Sequence, residues 1–228
     1  MWHPLVRSGI RRLWRGWRAE PGPLKDYYRQ DVPSANTPYD RVEFLAVDLE
    51  TSGLDAETDE ILSIGYVPVI DGRVRLDGAA HHLVRPRRRV PAETAVIHGL
   101  LDDALGTAPP LAEVLPRLLE ALNGRVAIAH HARIERRFLS AACRRLYGQP
   151  LDAPFVCTLA LERRFLALRS QPVEDGGLRL GASRARYGLP RYPVHNALTD
   201  ALATAELFLA QAAHASGRKP ASLASLLE

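Results

Sequence analysis

Two acids close an apolar run in Phe44-Leu45-Ala46-Val47-Asp48-Leu49-Glu50, and this is the stretch best suited to chemistry. The run reads as a buried strand. Residues two apart on a strand project to one face, so Asp48 and Glu50 leave the chain from one place. Such a pair is costly unless neutralised, and Mg2+ prefers oxygen ligands. A solvated edge strand with incidental acids would give the same pattern. Thr51-Ser52-Gly53 then turns the chain and exposes backbone amides.

Two further stretches hold reactive groups. Glu135, in His130-His131-Ala132-Arg133-Ile134-Glu135, opens a helix after the apolar Val126–Ala129. Active sites of α/β proteins gather at such strand ends. Taken singly, it is an ordinary acid at a helix start, favoured by the macrodipole. His195-Asn196-Ala197-Leu198-Thr199-Asp200 sets an imidazole before a helix and an acid in that helix's second turn. Imidazole carries protons near neutrality, although a lone His before a helix is usually a cap or surface residue.

The elements that must position these groups follow from periodicity. Phe44–Leu49 is strand one. Ile61–Ile70 is strand two, and Asp71-Gly72 is a tight hairpin turn into a strand over Arg73–Val84. A basic loop spans Arg85–Val90, and a short helix Pro91–Leu100 ends at Gly99. Leu111–Leu122 is helical, Val126–Ala129 a short buried strand, and His130–Leu146 a long helix. Cys157–Leu168, Leu178–Tyr187 and Asn196–Ala213 are further helices. Antiparallel strands followed by alternating helix and strand predict an α/β fold, a mixed sheet flanked by helices.

At 228 residues and 46% hydrophobic, the chain can bury one sizeable core and carry extensions. Residues 1–18 read as a basic amphipathic helix. Leu5, Ile10, Leu13, Trp14 and Trp17 share a broad face, arginines take the rest, and no acid occurs. Such a helix either packs its tryptophans on the main domain or touches an anionic surface, nucleic acid or an acidic partner. Residues 19–41, with four prolines, read as a linker or arm; 42–215 as the main domain; 216–228 as a tail or short helix. The net charge of +4 mildly favours a polyanionic partner. Cys143 and Cys157 make neither a disulfide framework nor a zinc pattern, so a cytoplasmic, reducing location is expected. His81, His82 and His131 lack zinc-ligand spacing. No apolar run is long enough to span a bilayer.

In order, the motifs resemble those of the DEDDh family of 3′-to-5′ exonucleases, over about Val42 to Ala213. Val47-Asp48-Leu49-Glu50-Thr51-Ser52-Gly53-Leu54 matches the first motif, and Asp59-Glu60-Ile61-Leu62-Ser63-Ile64-Gly65 the strand after it. Ala95-Val96-Ile97-His98-Gly99-Leu100 and Cys157-Thr158-Leu159-Ala160 are similar to segments of the proofreading (epsilon) subunits of bacterial replicative polymerases. His195, Ala197 and Asp200 keep the third motif. The second motif departs from the family's His-Asn-Ala-x-Phe-Asp: Glu135 takes the aspartate position, His131 the asparagine and Ile134 the phenylalanine.

The resemblance implies a ribonuclease H-like fold and hydrolysis of phosphodiesters with two divalent cations, Mg2+ or Mn2+. It makes Asp48, Glu50 and Asp200 ligands of the first cation, Asp48 shared, Glu135 a ligand of the second and His195 the proton acceptor. Thr51, Leu54 and His98 become contacts for the terminal nucleotide. The implied partners are single-stranded DNA or RNA 3′ ends and a polymerase. Four readings stand at this point: an exonuclease of DNA ends for proofreading or repair, one acting on RNA or short oligonucleotides, a nucleic-acid-binding or polymerase-associated module whose catalysis faded with the change to Glu135, and a membrane or partner anchor in the Trp/Arg-rich N-terminus that carries the nuclease as cargo.

Overall fold

The computed structural model describes residues 4–88, 102–193 and 195–227, with side chains from 11 onward in the first segment and from 104 in the second. The helix expected over 91–100, His98 within it, and the end of the basic loop lie outside these residues.

The body is one mixed sheet between two helical layers. Its strands are β1 (Phe44–Thr51), β2 (Ile61–Ile70), β3 (Arg73–Val74), β4 (Ala80–Leu83), β5 (Val126–Ala129) and β6 (Phe155–Cys157). Their order is β3-β2-β1-β5-β6, with β4 also on β2. β2 is antiparallel to β1, whereas β5 and β6 run parallel to it. Central β1 is buried on both faces because alternate residues enter two separate cores. Leu45, Val47 and Leu49 join the core formed with α2 (Pro23–Arg29), α4 (Leu111–Ala121) and α5 (Arg133–Tyr147). Phe44 and Ala46 join the core formed with α6 (Thr158–Leu168), α8 (Ala197–Ala215) and α9 (Leu223–Leu226). Continuing that alternation carries Asp48 and Glu50 toward the α8 face.

Asp71 (φ 53°) and Gly72 (φ 66°) form the expected tight turn. The strand expected over Arg73–Val84 is instead two strands separated by a 3-10 turn, Leu76–Gly78. Pro68 of β2 lies opposite this break and has no N–H for a ladder there. The helix expected from His130 begins at Arg133, because His131 takes a left-handed conformation (φ 71°) that no α-helix continues. Three-residue β6 is too short to show a period, and the sequence reading did not include it.

α1 (Pro4–Arg18), α3 (Asp102–Thr107) and α7 (Leu180–Arg186) complete the described helices. Within the stretch read as a linker or arm, Pro23–Arg29 is helical, with Pro23 at a first-turn position that needs no N–H donor. Leu24, Tyr27 and Tyr28 are buried there. The next segment pairs with the chain's last residues: Tyr39 N donates to Ala221 O (2.9 Å), Leu223 N to Thr37 O (2.9 Å) and Ala224 N to Ala35 O (2.8 Å).

Candidate active site

Asp48 and Glu50 stand at the C-terminal end of β1, where pairing with β2 shifts register between Glu50 and Thr51. Such an irregularity bends the strand end and re-aims its side chains. Asp200 enters from the start of α8. Asn196 caps that helix, accepting from Thr199 N (3.1 Å), so Asp200 falls in a first turn whose dipole favours a negative charge. The backbone N–H of His195 donates to Asp200 Oδ2 (2.9 Å), fixing the carboxylate against the residue before the cap. His195 is exposed and left-handed (φ 68°), a conformation more common for His than for most side chains.

Ligand oxygens of Asp48, Glu50 and Asp200 lie within 4.8 Å of one another. Three carboxylates at this spacing repel strongly. Burial, then repulsion from Glu135, Glu50 and Asp200, holds Asp48 well above the ordinary carboxylate range. Burial and the charge of Asp200 push Glu50 up to about 7. Burial raises Asp200, against lowering contributions from the His195 N–H and its ring.

Glu135 lies in the first turn of α5, outside that 4.8 Å group but close enough to act on Asp48. It is buried, and its Oε2 has no hydrogen-bond partner. Burial pushes it up to about 8. An orphaned, buried carboxylate oxygen beside three crowded acids is a poor apo arrangement and a good set of hard oxygen donors. The residues present therefore fit divalent cations. Thr51 Oγ1 donates to Gly53 O (2.7 Å), which tightens the turn after β1, and Leu54 stands exposed beyond it rather than in the core.

Two features were not singled out in the sequence. A cleft of about 1180 Å³ runs from Asp48, Asp200 and His195 past His130 to Leu178 and Arg179. Its far wall, the segment before α7, carries no motif. His130 ties that wall to the sheet. Its Nε2 lies 2.9 Å from Leu178 O and its Nδ1 2.8 Å from Thr158 Oγ1. A carbonyl can only accept, which assigns the proton to Nε2. Burial pushes His130 down to about 4, so the ring is neutral at ordinary pH. The second feature is Gly65 of β2, directly opposite Asp48 in the register.

A mixed sheet between helical layers, with acids gathered at the end of its central strand, is the architecture of the ribonuclease H-like fold. The match to known proteins narrows this. The chain belongs to the RNase T exonuclease family, whose profile matches residues 45–208. It is 32% identical over 176 residues to DNA polymerase III PolC-type of Thermotoga petrophila, covering 77% of this chain and 12% of that one. It is 31% identical over 180 residues to DNA polymerase III subunit epsilon of Treponema pallidum, covering 77% and 79%. The chain thus spans only a small part of the first relatives it matches. Among solved structures, Exonuclease X in complex with 5′-overhanging duplex DNA superposes with a TM-score of 0.61 at 25% identity, covering 80% of this chain and 98% of that one. Exonuclease I of E. coli, with an oligonucleotide, shares the fold at a TM-score of 0.63 and 17% identity, covering 74% and 40%.

Proposed function

We propose that this protein is a divalent-cation-dependent 3′-to-5′ exonuclease that releases nucleotides from DNA 3′ ends, in proofreading or repair. The observation that carries the reading is the convergence of Asp48, Glu50 and Asp200 within 4.8 Å, from a strand and a helix about 150 residues apart in the chain. DNA is favoured by the epsilon relative and by the duplex in the Exonuclease X complex. The names of the relatives point to a polymerase as partner, and buried thiols at Cys143 and Cys157 suit the cytoplasm. Residues 42–215 would form the catalytic body, with 1–18, 19–41 and 216–228 accessory to it.

Asp48, Glu50 and Asp200 would hold one cation, Mg2+ or Mn2+, and Asp48 with Glu135 a second. A pair of such ions supplies charge stabilisation to the attacking and leaving oxygens of an in-line displacement. The chain's own groups do the rest. The His195 imidazole takes a proton from the attacking water, a general-base task that an imidazole nitrogen can perform. The new bond joins the water oxygen to phosphorus, and the bond from phosphorus to the 3′ oxygen breaks. The shortened strand recovers a 3′ hydroxyl, and the released nucleotide keeps its 5′ phosphate. Asp200 positions His195 through the backbone N–H, so the proton acceptor and the cation cluster share one rigid helix start. Thr51, at the end of β1, and exposed Leu54 beyond it would meet the terminal nucleotide, and the family resemblance gives His98 the same role.

The test is digestion of single-stranded DNA labelled at its 5′ end, with Mg2+ or with chelator. Stepwise shortening from the 3′ end that disappears with chelator and with Asp200→Ala is expected. Cation-independent shortening would overturn the reading.

A further inference from the structure

Over its described residues, 11–18, the first helix turns Leu13, Trp14 and Trp17 outward. Buried Arg12 anchors α1: its guanidinium lies over the rings of Tyr27 (4.4 Å) and Tyr28 (5.4 Å) and donates to Asp152 O (3.0 Å) and Tyr27 O (3.1 Å). Gly16 sits on Tyr28, Ala19 is buried, and Arg11 and Arg15 pair with Asp152. The opposite side carries Leu13, Trp14 and Trp17, which are 73%, 55% and 80% exposed. An amphipathic helix docked on its own domain normally buries its apolar stripe. Here the cations hold the helix and the tryptophans are left to water.

The position of this face narrows what it meets. Pro150 and Asp152, which receive α1, precede β6, at the N-terminal end of the parallel strands. The acid cluster is at the C-terminal end of β1, parallel to β5 and β6. The tryptophans therefore stand at the end of the sheet away from the cleft. A strand bound at the acids is met elsewhere, and an occupied tryptophan face leaves the cleft open. The helix holds no acid over residues 4–18; Arg11, Arg12 and Arg15 are engaged on the docked side, which leaves Arg18 as the described arginine beside the outward face. Arg18 stacks on Trp14 (4.7 Å). Lys25 and Arg29, the latter paired with Asp26 (3.3 Å), line a groove of about 940 Å³ beside Leu13 and Trp17, and the acid in its lining is Asp31. Tryptophan and leucine on one side, Arg18 and Lys25 at their flank and no acid within the helix itself is the chemistry of a helix lying in the headgroup plane of an anionic bilayer.

We propose that α1 seats the protein on an anionic membrane surface, inserting Leu13, Trp14 and Trp17 among the lipid headgroups while the cleft faces the aqueous side. The inference stands apart from the exonuclease reading, because it needs neither the acids nor catalysis.

All three tryptophans of the chain lie in its first seventeen residues, so intrinsic tryptophan emission reports on this segment alone. Full-length protein is titrated with vesicles of phosphatidylcholine, with and without phosphatidylglycerol, followed by emission and flotation. The expected result is a blue shift and flotation with the anionic vesicles only. Binding should weaken about tenfold or more in Leu13→Ala/Trp14→Ala/Trp17→Ala, and with added salt, because buried apolar area and charge both contribute. Arg18→Glu, which keeps all three fluorophores, should weaken it too. The melting temperature of each variant, expected to stay near wild type, shows that the fold survives. Absence of flotation, or flotation unchanged in the triple variant, overturns the proposal. So does a wild-type dimer that the triple substitution makes monomeric without any vesicle binding, or an emission shift produced by single-stranded DNA and not by vesicles.

Discussion

A Cβ at Gly65 would lie 2.1 Å from the carbonyl carbon of Ala197 and 2.3 Å from its oxygen. The first turn of α8 thus rests directly on β2, at the level where Gly65 pairs with Asp48. That seat lets Asp200, the fourth residue of the helix, reach the acids of β1. Gly65→Ala would have to lift the helix start. Overpacking of this kind costs ~1–3 kcal/mol, and a displacement near 1 Å costs about 100-fold in rate. Nuclease assays and thermal melts of Gly65→Ala check both, and wild-type activity would show the seat to be dispensable.

The acid cluster makes stability depend on pH in a direction opposite to that of paired carboxylates. Glu50 and Glu135 are pushed up to about 7 and 8, and Asp48 and Asp200 are raised. The native state therefore holds more protons than the unfolded chain. This contribution is full below the unfolded carboxylate range and is lost as pH rises through about 7 to 8. In chelator the protein should melt lower at pH 8 than at pH 6. Mg2+ should raise the melting temperature more at pH 8, by roughly 5 °C beyond its effect at pH 6. An equal gain at both pH values would count against cations on these acids.

Glu135→Gln separates the charge of the fourth acid from its shape. Without its charge, activity should fall about 100-fold or more, the size seen when one preorganised charge is lost from an active site. In chelator at pH 8 the variant should be more stable than wild type, because the native state no longer buries an unpaired carboxylate. Glu135→Asp, the residue usual in the DEDDh exonucleases, should remain active. Full activity of Glu135→Gln would remove this residue from the machinery.

His130 holds the cleft wall rather than the reacting atoms. His130→Ala deletes contacts to Leu178 O and Thr158 Oγ1, and should cost ~1–3 kcal/mol of stability. KM should rise more than kcat falls, since the loosened wall meets substrate and not the scissile phosphorus. His130 is held at about 4, below its ordinary 6.5. The unfolded chain takes its proton first, so this contribution is lost as pH drops from 6.5 to about 4. Wild type should therefore lose stability relative to His130→Ala across that window, and parallel pH curves would refute the assignment.

Arg184 locks the loop that presents His195. It is buried, donates to the carbonyls of Pro190 and Ala203 and pairs with Glu206 (2.8 Å), beneath the Tyr192 ring. Arg184→Met should lower stability by ~2 kcal/mol through the orphaned carbonyls and acid. It should also lower kcat, by freeing the segment before α8. Denaturant titration and steady-state kinetics measure the two, and a stable, fully active variant would leave the loop self-supporting.

The order of acids along the chain, the apolar run that makes β1 and the helix that starts after His195 were legible in the sequence because each is local: strand alternation, a turn and a helix start act over a few residues. That locality marked which groups could carry chemistry, and the resemblance in motif order carried the family with them. The Asn196 cap came from the structure. What separated Asp48, Glu50 and Asp200 by no more than 4.8 Å was tertiary. It depended on Gly65 having no side chain under Ala197, a contact 132 residues apart that no period or spacing encodes. The left-handed turn at His131, the far wall of the cleft and the outward face of α1 were decided in the same way. Spacing says which residues share a side of a helix, and only packing against Tyr27, Tyr28 and Asp152 decides which side is buried.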